Sequence, residues 1–234
     1  GPAPQGPAPA PVQEIAPRTG LGSPLGGLTD AQLAAFLDGR ADFRTAETVA
    51  GGLGPIFNDV SCVACHDAGG PGGASRRTVT RFGRTVNGVF DPLDAQGGSL
   101  LQARSINPGI REEVPREANT VARRVTTPLF GAGLIEAIPD STIVRGTLER
   151  KPAGIAGKVS VVQDPVSGQN RVGRFGWKAQ QATLLAFSGD AYVNEMGITN
   201  RFFPAENAPN GNAALLARFD RVAEVEDEVS AIDG

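Results

Sequence analysis

The chain has 234 residues, a formal net charge of -3, 40% hydrophobic and 20% charged residues, which is enough to bury a core in one large domain or two small ones. So small a charge gives no footing for nucleic-acid binding, no polybasic run suits an anionic membrane surface, and no apolar run approaches the ~20 residues that cross a bilayer. The 31 glycines and 18 prolines predict modest helix content and long irregular connections.

Residues 1–20 are rich in Pro, Ala and Gly with almost nothing apolar to bury, and read as an extended tail. The opening Gly1-Pro2-Ala3-Pro4 reads better as a processed mature end or a protease scar than as a native start. The first helix is expected at Thr29, where Thr29 and Gln32 make a capping box and Leu33, Phe36 and Leu37 recur on one face. From Gly51 to Val60, glycines followed by Leu53, Ile56 and Phe57 predict a short helical turn leading into the next stretch.

That stretch, Ser61-Cys62-Val63-Ala64-Cys65-His66, holds both cysteines and the only histidine of the chain. A Cys-x-x-Cys-His run is the attachment signature of c-type haem: two thiols add across the porphyrin vinyl groups and the next residue presents an imidazole to the iron. On a helical face Cys62 and Cys65 stand three apart, the spacing that lets both thioethers form while His66 turns under the ring. The reading is one haem c, covalently held by Cys62 and Cys65. Zinc would need four ligands where Cys and His together offer three. A thioredoxin-like dithiol fits poorly with the following histidine and the lack of an early βαβ pattern, and a plain disulfide is the bland alternative.

A Gly-rich loop follows His66, then a basic stretch with Arg76, Arg77, Arg81 and Arg84; guanidinium groups there suit haem propionates, against the plainer reading of solvated surface charge. Residues 85–127 have weak periodicity. A helix capped by Asp140 or Ser141 carries Ile143, Val144 and Leu148. Val159–Val162 and Arg171–Phe175, separated by a turn-rich segment, predict a β-hairpin. A helical run then opens at Gly176–Ala179, with Leu184, Leu185 and Phe187 as its apolar side, and ends near Gly197.

With His66 on one side of the iron, the other is closed by a second residue or left open. No second His exists, and Met196 is the only methionine. A lone Met is usually a core gap-filler, but Met196 lies at a predicted helix end before Gly, and a His/Met pair raises the reduction potential as an electron-transfer site requires. Met196 is therefore the expected sixth ligand, with Tyr192, also unique, as the runner-up. An open position would suit peroxide chemistry and need an acid or base nearby; Glu195 is the nearest in sequence, although a charge at a helix end is usually just solvated.

Several stretches together resemble the bacterial di-haem oxidoreductases, a family with peroxidase and thiol-oxidoreductase-like members: Gly52–Asn58 before the cysteines, Pro128–Asp140, Gly173–Ala179 and Glu195–Thr199. The resemblance runs from about Leu28 to Pro204 and is identified with the N-terminal, cytochrome c-like haem domain of that family. It implies a mainly α, cytochrome c-like helical haem domain over 21–204, with long irregular loops and a small β-hairpin, between the 1–20 tail and an acidic extension over 205–234. Its Met-Gly-Ile-Thr segment falls on Met196, which again implies a distal ligand. Family members typically carry a second haem domain with another CxxCH; here one motif is present, as in a fragment or a shortened relative. The expected function is a mono-haem electron carrier working with redox partner proteins or within a larger electron-transfer complex, the alternative being a peroxidase-like oxidoreductase acting with a second haem. Covalent haem attachment takes place outside the bacterial cytoplasm, so a periplasmic or otherwise extracytoplasmic protein is expected, its export signal no part of this chain.

Overall fold

The computed structural model describes residues 20–220; the tail before Gly20 and the acidic stretch from Ala223 lie outside the described residues. In chain order the elements are α1 (Asp30–Arg44), β1 (Ile56–Phe57), β2 (Thr78–Val86), β3 (Val89–Asp91), β4 (Leu100–Leu101), β5 (Arg104–Ser105), β6 (Thr120–Val125), α2 (Ala132–Glu136), α3 (Asp140–Leu148), β7 (Val161–Gln163), β8 (Asn170–Val172), α4 (Leu184–Ala191) and α5 (Ala213–Phe219).

The mainly helical, cytochrome c-like architecture expected from the sequence is overturned: the fold is mixed α/β. Its largest sheet is organised on β2, which pairs antiparallel with β3, β4 and β6. The physical reason lies in β-branched residues interleaved with the arginines: Thr78, Val79, Thr80, Thr85 and Val86 on β2 and Thr120, Val121 and Val125 on β6, with Thr78 opposite Val125 and Phe82 opposite Val121, are side chains that fit a pleated surface better than a helix. Asn87 and Gly88, both at positive φ, make the two-residue turn from β2 to β3, a strong hairpin signal.

The segment before the cysteines also departs from expectation. Only Val49–Gly51 forms a short 3-10 turn; Ile56 and Phe57 then lie on β1, paired with Ser105 and Arg104 of β5. Helix α1 forms as predicted, with the reciprocal Thr29–Gln32 capping box in place. The β7–β8 hairpin also forms. Residues 176–183 are not helical. Gly176 and Ala179 have positive φ, and α4 begins only after Thr183, whose hydroxyl accepts from the Ala186 N–H at 3.2 Å. Helix α3 starts at Asp140 itself, and Pro139 occupies the cap position.

Long-range polar contacts join the elements. Arg174 donates to the carbonyls of Ile135, Glu136 and Ile138 and pairs with Asp140, stitching the end of α2 and the start of α3 to the segment after β8. Glu112 accepts from the N–H groups of Gln102 and Asn210, tying the chain before α5 to the sheet region. Beside these, a small apolar core of Leu53, Phe57, Tyr192, Met196 and Ile198 forms.

Candidate haem site

Residues Cys62 to His66 form a single hydrogen-bonded turn, not the helical face expected: the Cys65 and His66 N–H groups both donate to the Cys62 carbonyl, at 3.1 and 3.0 Å. The turn is fastened to the end of α1, where the Val63 N–H donates to the Phe43 carbonyl. Both thiols are unpaired and half-buried. Burial, the largest cause, pushes the Cys62 thiol up to about 11. Cys65 is raised as well, by burial and by Asp59 and Glu195, against the lowering pull of Arg77 and Arg104. Both sulfurs are therefore protonated at neutral pH, unlike the thiolate of a reactive dithiol. Among the described residues no group of three or more His, Cys, Asp or Glu side chains converges to hold a metal ion.

His66 sits between two other segments. Its Nδ1 lies 3.2 Å from the Gly73 carbonyl, a contact that places the proton on Nδ1 and leaves the Nε2 lone pair as the one for a metal. Burial lowers its pKa while the Gly73 and Thr127 carbonyls pull the other way, so the ring is neutral at neutral pH, as ligation requires. The Phe43 ring is centred 6.2 Å from the imidazole. Phe130 packs against Gly72, whose N–H donates to the His66 carbonyl.

Met196 lies on a π-helical turn, Tyr192–Met196, that continues α4 and ends at Gly197. It is 4% exposed, in the cluster against which Cys62, Val60 and Ile106 pack. Three backbone bonds hold this turn to the segment leading into the cysteines: Gly54 N–H to the Met196 carbonyl, and the Asn58 and Asp59 N–H groups to the Glu195 carbonyl. Gly197 has φ +69, and a Cβ there would stand 2.7 Å from the Ile56 carbonyl oxygen and 2.8 Å from that of Gly54; only glycine permits so close an approach. The structure thus brings Met196 into the cluster against which Cys62 packs, while His66 lies against Phe43 and reaches the Thr127 backbone. Tyr192 shares the Met196 cluster.

Glu195 is not a solvated end-of-helix charge. Its carboxylate accepts from Asn58 Nδ2 at 2.7 Å, and burial raises its pKa, opposed by the Asn58 bond and Arg81 and assisted by Asp190. Sequence reasoning missed Asn58, Asp59 and Arg104, all of which reach this site. Of the four arginines it named, Arg77 pairs with Asp59, Arg81 is half-buried with its Nη1 3.4 Å from Ser99 Oγ, and Arg76 and Arg84 are exposed.

The donor set fits a covalently attached haem: two unpaired thiols and an imidazole with one nitrogen tied back. Helices α1 and α2 bury no residue, and Leu33, Leu37, Leu134 and Ile135 are exposed apolar side chains on the two helices that Phe43 and Phe130 join to the motif. An apolar macrocycle is the kind of group that such faces accept.

The model of one protein family, described as di-haem oxidoreductase, putative peroxidase, matches residues 86–231. The match takes in Pro128–Asp140, Gly173–Ala179 and Glu195–Thr199 but begins after His66. It therefore lies in the C-terminal part of the chain, and the N-terminal placement expected from the sequence is corrected. No curated protein matches the chain, and no solved structure does.

Proposed function

This chain belongs to the di-haem oxidoreductase family, and from that premise we propose that it is a c-type cytochrome unit that transfers electrons through one haem, which Cys62 and Cys65 would hold covalently and whose iron His66 and Met196 would ligate. The observation that carries the reading is the placement of Met196: buried, packed in the cluster that Cys62 touches, and clasped by backbone bonds to the segment leading into the motif. Haem would supply a one-electron iron couple, whose potential a thioether ligand and a low-dielectric surround raise. The residues of the chain do the rest. Cys62 and Cys65 prevent loss of the group, Gly73 orients His66, and Gly197 with Gly54 fixes the Met196 backbone. Electron exchange with redox partner proteins, in an extracytoplasmic compartment, completes the proposal.

Absorption spectroscopy of the purified chain tests it. A pyridine haemochrome spectrum of the c type and a sulfur-to-iron charge-transfer band in the oxidised protein are expected. Absence of covalent haem sinks the whole reading, and a high-spin ferric spectrum without that band sinks the Met196 assignment.

The family description favours a second reading, a peroxidase-like oxidoreductase working with a second haem. Glu195 supports it locally, as a buried carboxyl group with a raised pKa beside Met196, the kind of group acid–base work uses. Turnover of hydrogen peroxide with a reduced donor, with Glu195→Gln slowing it at least tenfold, supports that reading; no turnover counts against it for this chain.

A further inference from the structure

We propose that Arg77 and Arg104 form a paired guanidinium seat for the propionate carboxylates of the haem held at Cys62 and Cys65. The inference rests on the haem reading above and extends it to the polar edge of the macrocycle.

Asp59, only 8% exposed at its side chain, stands three residues before Cys62 and holds both arginines: Arg77 on Oδ2, and Arg104 Nη1 at 3.2 Å from Oδ1. Oδ1 also accepts from the Val60 N–H at 3.0 Å, which pins the carboxylate. The two guanidinium groups arrive from different parts of the chain. Arg77 immediately precedes β2, and Arg104 lies on β5 opposite Phe57 of β1, the strand that leads into Asp59. Antiparallel pairing of β1 with β5 thus delivers Arg104 to the same carboxylate that Arg77 reaches from the sheet.

Two features mark the triad as a seat for an anion and not a closed ion pair. First, one carboxylate faces two guanidinium groups, which leaves one positive charge unbalanced. Second, the side chains of Arg77 and Arg104 remain 54% and 47% exposed. Each guanidinium has five N–H donors in a planar fork, so a flank bound to Asp59 leaves further donors for another carboxylate. The site is next to the attachment turn, because Asp59, which holds both guanidinium groups, lies three residues before Cys62. A porphyrin joined at this turn carries its own two carboxylates, which match the donors in chemistry and the surplus charge in sign.

The test uses the full chain with covalent haem. Each of Arg77→Gln and Arg104→Gln leaves Asp59 one guanidinium, so the folded site persists and haem content by pyridine haemochrome stays at the wild-type level. Arg84→Gln removes an exposed arginine of β2 and serves as the equal-charge control. The midpoint potential is expected to fall in both single variants relative to Arg84→Gln, because loss of a cation beside the haem favours the ferric state, and to fall further in the double variant. In redox-difference infrared spectra the propionate carboxylate bands, identified by isotope labelling of the haem, are expected to shift in Arg77→Gln and Arg104→Gln and not in Arg84→Gln. Haem-bearing variants with the potential and carboxylate bands of the control overturn this proposal alone. A wild-type chain that carries no covalent haem overturns it together with the reading on which it rests.

Discussion

Two turns of this molecule each bury a carboxylate, and they treat it in opposite ways. At the β7–β8 turn Asp164 is 1% exposed and accepts from the Val166 and Ser167 N–H groups and from the hydroxyls of Ser167 and Thr183. Burial alone would raise its pKa, but those donations outweigh it and hold the carboxyl below the usual range. At the π-turn Glu195 has, among the described residues, the single Asn58 amide donor and the charge of Arg81, and burial wins. The first carboxylate is a scaffold part, satisfied on every side; the Thr183 hydroxyl that donates to it also caps α4. The second is kept short of partners beside Met196. Sites that do chemistry tend to hold their ionisable groups in this under-satisfied condition, but burial raises the structural carboxyl of Glu112 as well, so the contrast at Glu195 counts together with its place beside Met196.

The sharpest way to break the comparison is to empty the π-turn. Met196→Ala should destabilise the chain by about 2–5 kcal/mol through lost burial and a residual cavity, read by urea unfolding. Met196→Leu keeps the volume and should cost less than about 1.5 kcal/mol, yet abolish the sulfur-to-iron band. If Leu restores stability and the haem spectrum is unchanged, Met196 is a packing residue and not a ligand. A smaller effect is expected at Asn58, whose Oδ1 accepts from the Ala103 N–H while its amide donates to Glu195. Asn58→Ala leaves a buried carboxylate without that donor and should cost about 1–3 kcal/mol. It should also weaken the iron–sulfur band by loosening the turn, which a purely structural bond far from the iron would not do.

The part of the proposed site that lies in consecutive residues is the part that the sequence itself singles out. Cys62, Cys65 and His66 carry their chemistry in one run, and Met196 stands out because it is unique and precedes the glycine that ends its turn. What was not legible depends on partners far away in the chain: Asn58 meets Glu195 across 137 positions and Arg104 meets Asp59 across 45, and no local pattern announces such pairs. The fold was misjudged for a related reason. A haem motif suggested helices, and the arginines of 76–84 drew attention from the β-branched residues between them, although Asn87-Gly88 offered a hairpin signal. The helix expected from Gly176 failed because Gly176 and Ala179 adopt positive φ, and the chain reaches α4 only where Asp164 fixes the Thr183 hydroxyl.

That last contact gives the smallest predicted effect and the cleanest contrast in pH. A carboxyl whose folded pKa is depressed contributes stability that is fully present above its unfolded value, about 3.9, and is lost as pH falls through the lower folded value. A carboxyl raised on folding does the reverse: the stability it carries in the protonated form is lost as pH rises through its folded value. Asp164→Asn keeps one acceptor oxygen but replaces charge-assisted bonds with neutral ones, a loss of about 1 kcal/mol. The wild type should therefore melt above the variant at pH 7, and the gap should close as pH falls below about 4, as thermal unfolding followed by circular dichroism would register. In Glu195→Gln the sign reverses, because the amide cannot ionise: the variant should lose less stability than the wild type as pH rises from 4 to 8. Equal pH profiles for the two variants would mean that the two turns do not differ in the way their hydrogen bonds imply.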